Sequence, residues 1–207
     1  MASKWGDGAE LLAARLELPV VKERSAAEAP DDSRLVAAAR AGDRAAFGRL
    51  YDRYARMVHG ILLARVPLSE VDDLVHDVFL QALPRLDTLR DVSRFGAWLA
   101  AITRNRANDY HRQSVPEVEL NDDFPEESME GPAAAGSPDT EAESILALIQ
   151  SLPETYRETL LLRLVEGMTG PEIAARTGLT HGSVRVNLHR GMQQLREKLG
   201  QRAIPGR

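Results

Sequence analysis

A stretch of 30 residues without a lysine or arginine divides this chain. Residues 114–143 carry ten acidic side chains, no basic ones and four prolines. Like charges repel one another and prolines stiffen the backbone, so this stretch is predicted to be an extended, flexible tether. Folded structure is therefore expected on either side of it, in two modules.

The net charge of −5 conceals the sign of the two flanking segments. Residues 34–113 hold 13 basic and 9 acidic side chains, and residues 144–207 hold 9 and 5. Both segments are therefore basic, which suits contact with phosphates. Residues 1–33 are acidic and contain one short amphipathic stretch at 8–18, and we expect a flexible extension there.

Composition excludes several classes of protein. The chain has no cysteine, which rules out disulfides, thiolate nucleophiles, iron–sulfur clusters and cysteine-type zinc sites. It lacks the run of about 18 apolar residues that a membrane span needs. Glu10, Arg15 and Glu17 interrupt the apolar stretch 11–21 where a signal peptide would be sought. We expect a soluble, intracellular protein without membrane insertion.

The segment before the tether shows helical periodicity throughout and no strand-like alternation. Gly42 ends a first short helix and Asp43 caps a second one, whose apolar residues recur at spacings of three and four. Pro67 and Pro84 bracket a third helix, with Ser69 predicted as its N-cap. A fourth runs from about 93 to 113. We predict four helices here.

The segment after the tether predicts four more helices, at 145–151, 154–166, 171–177 and 183–199. Thr169 and Glu172 have the spacing of a capping box before the third of them. Gly178 fits the tight turn that follows, and Thr180 can cap the last helix. A short helix, a glycine turn and a longer helix are typical of a helix-turn-helix.

The last helix has two distinct faces. Its apolar stripe consists of Val184, Leu188, Gly191, Leu195 and Leu199, and its opposite face of Arg185, Val186, His189, Arg190 and Gln193. Arginine can read guanine in the major groove, and valine can contact the thymine methyl group. We interpret this face as DNA-reading; the alternative is a basic helix packed on its neighbour.

The fourth helix combines an apolar side with polar and aromatic groups. Phe95, Trp98, Leu99 and Ile102 share one face, while Arg104, Asn108 and His111 lie opposite. The flanks carry Thr103, Asn105, Arg106, Tyr110 and Arg112. Amides, arginines and aromatic rings on one helix suit nucleic acid, including stacking on unpaired bases.

The third helix presents an acidic face made of Asp72, Asp73, His76, Asp77 and Leu80. Carboxylates and a histidine at these spacings could hold a divalent metal, dock a basic partner or simply face solvent. One helix supplies only two or three ligands, so a metal site is disfavoured. We predict no cofactor.

The sequence resembles the extracytoplasmic-function (ECF) group of bacterial RNA polymerase sigma factors. The resembling stretches are LVAAARAGDRAAFGRLYDRY, DDLVHDVFLQAL, FGAWLAAITRNRANDYHR and LPETYRETLLLRLVEGMTGPEIAARTGLTHGSVRVNLHRGMQQLREKL. The resemblance implies an all-α protein of two small helical domains: a four-helix region 2-type domain at 34–113 and a helix-turn-helix region 4-type domain at 144–200. A flexible acidic linker at 114–143 joins them, with an extension at 1–33 and a tail at 201–207.

The resemblance also implies roles for the three faces. The third-helix face would dock on core RNA polymerase through Asp72, Asp73, His76, Asp77 and Leu80. The −10 promoter element would be contacted by Trp98, Thr103, Arg104, Asn105, Arg106, Asn108, Tyr110 and Arg112. The loop 86–94 would receive a flipped base. The −35 element would be contacted by His181, Ser183, Arg185, Val186, Asn187, His189 and Arg190.

The implied partners are the clamp helices of the polymerase's largest subunit, the polymerase flap, promoter DNA and an anti-sigma factor, in the cytoplasm. His76, Leu83, Val186 and Asn187 depart from the residues usual in the family. Asp109 near Arg106 leaves open an ion pair or a DNA role.

Two other functions remain as alternatives. A stand-alone helix-turn-helix regulator would bind closed duplex DNA as a homodimer. A metal-dependent nuclease would use Asp72, Asp73, His76 and Asp77. Neither accounts for a nucleic-acid-like helix at 95–112 followed by an acidic tether.

Overall fold

The structure, a computed structural model, describes residues 32–114 and 141–202. The first range contains α1 (Asp32–Arg40), α2 (Arg44–Leu63), α3 (Leu68–Ala82) and α4 (Phe95–Ser114), with 3-10 helices Leu83–Thr88 and Val92–Arg94 before α4. The second contains α5 (Glu141–Gln150), α6 (Glu154–Leu164), α7 (Gly170–Thr177) and α8 (His181–Arg202). Every regular element in these ranges is helical, which confirms the all-α prediction. The extension at 1–31 with its amphipathic stretch at 8–18, most of the tether and most of the tail lie outside the described residues.

Local sequence signals set several helix ends. The carboxylate of Asp43 accepts from the amides of Ala45 and Ala46, at 2.8 and 3.1 Å. Gly178 ends α7 in the left-handed conformation, at φ 78°. Thr180 accepts from the Ser183 amide at 3.1 Å and so caps the first turn of α8. These caps agree with the sequence predictions.

The predicted cap of α3 is wrong. Pro67 occupies the N-cap position, and no side chain caps the helix. Ser69 already lies inside the first turn, where its hydroxyl donates to Glu70 at 3.2 Å. Proline fixes φ in the helical range, so α3 starts directly after it.

The first module (residues 32–114) packs around α2. Leu50, Met57 and Ile61 of that helix are fully buried. Aromatic contacts join α2 to its neighbours: Tyr51 lies 4.5 Å from Phe79 of α3, between ring centroids, and Tyr54 lies 5.0 Å from Phe95 of α4. This packing holds both α3 and α4 against α2.

The second module (residues 141–202) contains the predicted helix-turn-helix. Its core contains the buried side chains of Ile173 from α7 and of Val184 and Leu195 from α8. Gly191 lets α8 approach α6 closely, because a Cβ there would lie 3.0 Å from a methyl group of Leu160. The apolar stripe of α8 is thereby turned inward and its opposite face is left exposed.

The two modules pack against each other, α2 against α6 and α4 against α7. Glycines stand at the closest approaches. A Cβ on Gly60 would lie 2.8 Å from a methyl group of Leu162, and one on Gly96 would lie 2.7 Å from the backbone oxygen of Arg176. Two modules joined by a tether were predicted from the sequence, but this contact was not.

Within the described ranges, no helix has the length and apolar character needed to span a membrane.

Candidate nucleic-acid interface

The outward face of α3 combines acidic groups with exposed leucines. Asp72, Asp73 and His76 are exposed, and Leu80 exposes 69% of its surface. The adjoining Leu83 exposes 44%. Large exposed apolar side chains rimmed by polar groups are typical of protein-binding surfaces.

Asp77 differs from the other acidic residues of this face. Its carboxylate accepts a hydrogen bond from Arg106 of α4 at 2.8 Å. Asp77 therefore joins the two helices as well as contributing to the surface. Nowhere in residues 32–114 or 141–202 do three His, Asp or Glu side chains come together in a way that could hold a metal ion.

The eight residues predicted to contact the −10 element differ in exposure. Asn105, Asn108 and Arg112 are exposed, while Trp98 and Tyr110 are half-buried. The Trp98 ring packs 5.7 Å from that of Phe95, between centroids. Asn105, Asn108 and Arg112 therefore face solvent, whereas the Trp98 and Tyr110 rings pack partly against the core.

Thr103 is fully buried, and its hydroxyl donates to the Leu99 carbonyl at 2.8 Å. It therefore does not reach solvent in this structure, contrary to what a base contact requires. Thr103 stands one helical turn after Leu99, and Arg106 two turns after it, so a helical wheel places both on the inner side of α4.

Asp109 does not pair with Arg106, which was one of the two roles that the sequence left open for it. It forms an ion pair with Arg112 on the surface instead.

Arg104 is held by a residue of the second module. Its Nη2 and Nε atoms donate to the two carboxylate oxygens of Glu158, at 2.7 and 3.2 Å. The same carboxylate pairs with Arg65 at 2.7 Å. In this conformation a predicted DNA contact is occupied by a protein carboxylate.

The electrostatics of Glu158 follow from this geometry. Burial alone would raise its pKa, but hydrogen bonds from Arg104 and the nearby charge of Arg65 outweigh burial and hold the pKa below its usual range. Glu158 is therefore ionised at neutral pH. A second carboxylate at the contact, Glu166, accepts from His59 Nδ1 at 2.6 Å and raises the pKa of that histidine, which burial opposes.

The loop between α3 and α4 is held by Arg40 of α1. Its guanidinium donates to the carbonyl of Leu86 at 2.8 and 3.0 Å and also to the carbonyl of Leu89. Asp91 caps the second 3-10 helix by accepting from the Ser93 amide at 3.0 Å. The loop predicted to receive a base is therefore fixed through its backbone.

Most of the predicted −35 residues on α8 are exposed. They are His181, Ser183, Arg185, Val186, His189 and Arg190. Asn187 is the exception, with 7% of its surface exposed. It lies three residues after Val184 and four before Gly191, which places it at the edge of the apolar stripe.

The charged pairs between the modules were not predicted from the sequence. Glu158 precedes the buried run Thr159–Leu162, and a charge beside such a run indicates a buried ion pair. No local pattern could have identified Arg65 or Arg104 as its partners, because they lie 93 and 54 residues earlier in the chain.

Comparisons with known proteins agree with this architecture. The family model for sigma-70 region 2 matches residues 50–115, and the model for sigma-70 region 4 matches residues 142–195. The chain is 32% identical over 168 residues to the RNA polymerase sigma factor CarQ of Myxococcus xanthus, an alignment that covers 78% of this chain and 94% of CarQ.

A second relative is the ECF RNA polymerase sigma factor BldN of Streptomyces coelicolor, 32% identical over 169 residues. That alignment covers 78% of this chain and 63% of BldN. Among solved structures, CnrH in complex with the cytosolic domain of CnrY has a TM-score of 0.56 and 26% identity, covering 83% of this chain and 98% of CnrH.

Proposed function

The chain belongs to the ECF group of RNA polymerase sigma factors, which serve transcription initiation, and we propose how its three surfaces divide that work. The α3 face docks on the clamp helices of core RNA polymerase. The α4 surface contacts the −10 promoter element, and the exposed face of α8 contacts the −35 element. The second module also contacts the polymerase flap.

The exposed Leu80 beside Asp73 and His76 is the observation that carries the docking proposal. A leucine with 69% of its surface exposed gains free energy when a partner covers it. The surrounding carboxylates favour a basic partner and speed its encounter. A stand-alone DNA-binding regulator has no use for such a surface on the module opposite its helix-turn-helix.

The two nucleic-acid surfaces differ in what they can read. On α8, Arg185 and Arg190 flank the exposed Val186, a combination suited to base edges in the major groove of duplex DNA. On α4, the half-buried rings of Trp98 and Tyr110 lie on the same helix as exposed amides, which suits unstacked bases.

Melting proceeds by capturing unpaired bases, each stabilised by about 1–3 kcal/mol through stacking, without ATP. We propose that the chain acts by binding alone and catalyses no reaction itself.

The proposal includes further partners and a place of action. CnrH was solved in complex with the cytosolic domain of CnrY. By analogy we propose that an anti-sigma factor binds this chain as well. Since its polymerase partner works in the bacterial cytoplasm, we place the chain there.

Co-elution with core RNA polymerase tests the docking surface. The variant Asp73→Arg with Leu80→Asp changes two exposed side chains and leaves Asp77, which pairs with Arg106, intact. The control Asp52→Arg reverses an exposed charge on α2. We expect the wild type and the control to co-elute with core and the double variant to elute alone.

Two results contradict this proposal. Co-elution of the double variant would remove the α3 face from the polymerase contact. A wild type that ignores core but shifts duplex DNA as a homodimer would favour the stand-alone regulator.

A further inference from the structure

The contact between the two modules combines apolar packing, such as Leu162 against Gly60, with several ion pairs. Glu158 of α6 lies between two arginines of the first module, Arg65 and Arg104, with oxygen–nitrogen distances of 2.7 Å to each. Glu154 also pairs with Arg65. Both Arg65 and Glu158 expose only 7% of their side chains.

A second charged cluster lies further along the same helix pair. The carboxylate of Glu166 lies 2.6 Å from Nδ1 of His59 and 3.6 Å from Nε of Arg56. Both of these residues belong to α2. At the other end of the contact, the Arg176 guanidinium lies 5.6 Å from the centroid of the Tyr54 ring and donates to the Arg53 carbonyl at 2.9 Å.

The ion pairs add little free energy to the closed form. Each charge gives up hydration when the modules close, and the ion pairs return little more than that loss. When the modules separate, the same groups regain water. The apolar part of the contact has no such compensation and favours the closed form.

Glycines show that the contact is shaped for closure. Gly60 lies inside α2, where alanine would be the better helix former. A Cβ at this position would meet the Leu162 and Glu166 side chains of the other module, at 2.8 and 2.9 Å. The glycine therefore weakens its own helix and serves the approach of the second module.

We infer that the free protein closes its two modules through these ion pairs, with Glu158 occupying the guanidinium of Arg104 that nucleic acid binds in the open form. Closure itself follows from the contacts alone. The competition for Arg104 rests on the proposed role of α4 at the −10 element. Polymerase or promoter DNA that separates the modules would then release Arg104.

Distance measurements on the full chain test closure. The chain has no cysteine, so Asp52→Cys on α2 and Gly200→Cys on α8 provide two exposed positions for a fluorescent donor and acceptor. We expect high transfer efficiency at low salt and a fall as the salt concentration rises from about 0.05 to about 0.5 M, because ions screen the more exposed pairs, Arg65–Glu154 and Arg56–Glu166.

Three variants identify the cause of closure. Glu158→Gln removes the central charge and Gly60→Ala adds a methyl group at the contact, whereas Glu197→Gln removes an exposed charge on α8. We expect the first two to lower the transfer efficiency, with the closed-to-open ratio falling about tenfold or more for Glu158→Gln, and the third to leave it unchanged.

Circular dichroism and a cooperative unfolding transition verify that each variant is folded. Since alanine favours helix at position 60, opening of Gly60→Ala cannot be attributed to loss of α2. A wild type that is already open at low salt, or a Glu158→Gln variant as closed as Glu197→Gln, would overturn the inference.

Binding of the free chain to a −10 oligonucleotide with unpaired bases separates closure from the role of Arg104. We expect Glu158→Gln to bind more tightly than Glu197→Gln, and Arg104→Ala in the Glu158→Gln background to abolish that gain. If Glu158→Gln opens without binding more tightly, closure stands and the competition for Arg104 is wrong. A wild type that is closed in the free state but does not co-elute with core polymerase would instead overturn the docking proposal alone.

Discussion

Arg106 and Asp77 join the helix proposed to bind promoter DNA to the helix proposed to bind polymerase. The guanidinium donates to the carboxylate at 2.8 Å, and the arginine side chain is only 15% exposed. The orientation of α4 relative to α3 is therefore fixed by a direct bond as well as by their common packing on α2. A polymerase that positions α3 thereby positions α4.

Loss of this ion pair is expected to destabilise the first module. Asp77→Ala leaves a largely buried guanidinium without its acceptor, and we expect the free energy of unfolding to fall by about 1–3 kcal/mol. Urea denaturation followed by circular dichroism measures it. Asp73→Ala, at an exposed position of the same face, should change it by less than about 0.5 kcal/mol. Equal losses in the two variants would contradict the structural role of the pair.

The Arg40 contacts predict local loosening of the loop before α4. Arg40→Met retains much of the apolar stem but leaves the carbonyls of Leu86 and Leu89 without the guanidinium donors, at a cost of about 1–3 kcal/mol. We expect faster amide hydrogen exchange across 86–94 with little change in α2. Arg85→Met, at an exposed position in the loop, is the matched control. Unchanged hydrogen exchange in Arg40→Met would mean that the contacts of Arg40 with these two carbonyls, the Arg40 clamp, do not hold the loop.

The capping box of α7 predicts a stability effect with a defined pH dependence. Thr169 accepts from the Glu172 amide at 3.3 Å, while Glu172 accepts from the Thr169 amide at 2.8 Å. Thr169→Ala should cost about 0.5–2 kcal/mol in thermal or urea unfolding. Thr155→Ala, on the exposed surface of α6, should cost less.

Glu172 sets the direction of the pH effect. Burial would raise the pKa of Glu172, but the hydrogen bonds from Thr169 outweigh burial and lower that pKa from its ordinary 4.5. Its contribution is present above pH 4.5 and is lost as the pH falls through the lowered value. The difference between wild type and Thr169→Ala should therefore shrink in acid.

Closure of the modules should weaken with rising pH. The hydrogen bond to Glu166 raises the pKa of His59 above 6.5, burial opposes this, and the charges of Glu166 and Asp72 add to the increase. Arg56 also faces Glu166 in this cluster. The protonated histidine stabilises the closed form fully below pH 6.5, and this stabilisation disappears as the pH rises through the raised value.

Fluorescence transfer between the two labelled positions, recorded across this pH range, tests the histidine. We expect His59→Gln to flatten the dependence. His76→Gln, on the exposed face of α3, should retain it. A pH dependence that survives in His59→Gln would assign the effect to another group.

The α8 face predicts two kinds of defect in the polymerase complex. Arg185→Ala should weaken promoter binding by about 1–3 kcal/mol if the guanidinium pairs with a guanine, and the loss should vanish when that base is changed. Val186→Ala should instead alter the preference for thymine. Uniform weakening on all −35 sequences would reassign Arg185 to a phosphate contact.

Local chemistry made much of the fold predictable. Asp43, Gly178 and the Thr169–Glu172 pair set helix ends through contacts within three or four residues, which a sequence displays directly. The prediction of Ser69 as the N-cap was wrong because Pro67, two residues earlier, occupies that position. The burial of Thr103, predicted on a flank of its helix, and of Asn187, at the edge of the α8 stripe, was not predicted, and the family resemblance had assigned both to DNA.

The contact between the modules was beyond sequence reasoning. Arg104 and Glu158 are 54 residues apart, and Arg176 and Arg53 are 123 apart. No periodicity links such positions. From the sequence alone, an arginine that binds a phosphate cannot be distinguished from one that pairs with a carboxylate. The role of Gly60 was likewise not predictable, because Leu162, which packs against it, lies 102 residues later in the chain.

The Arg40 clamp has a consequence for how promoter preference can evolve. Because the guanidinium binds backbone carbonyls, the exposed side chains at 87, 88 and 90 contribute nothing to it. They are free to vary while the loop keeps its shape, as hypervariable loops do on a fixed immunoglobulin framework. If the loop receives a promoter base, as the resemblance implies, single substitutions in it change the sequence preference without compensating changes elsewhere in the module.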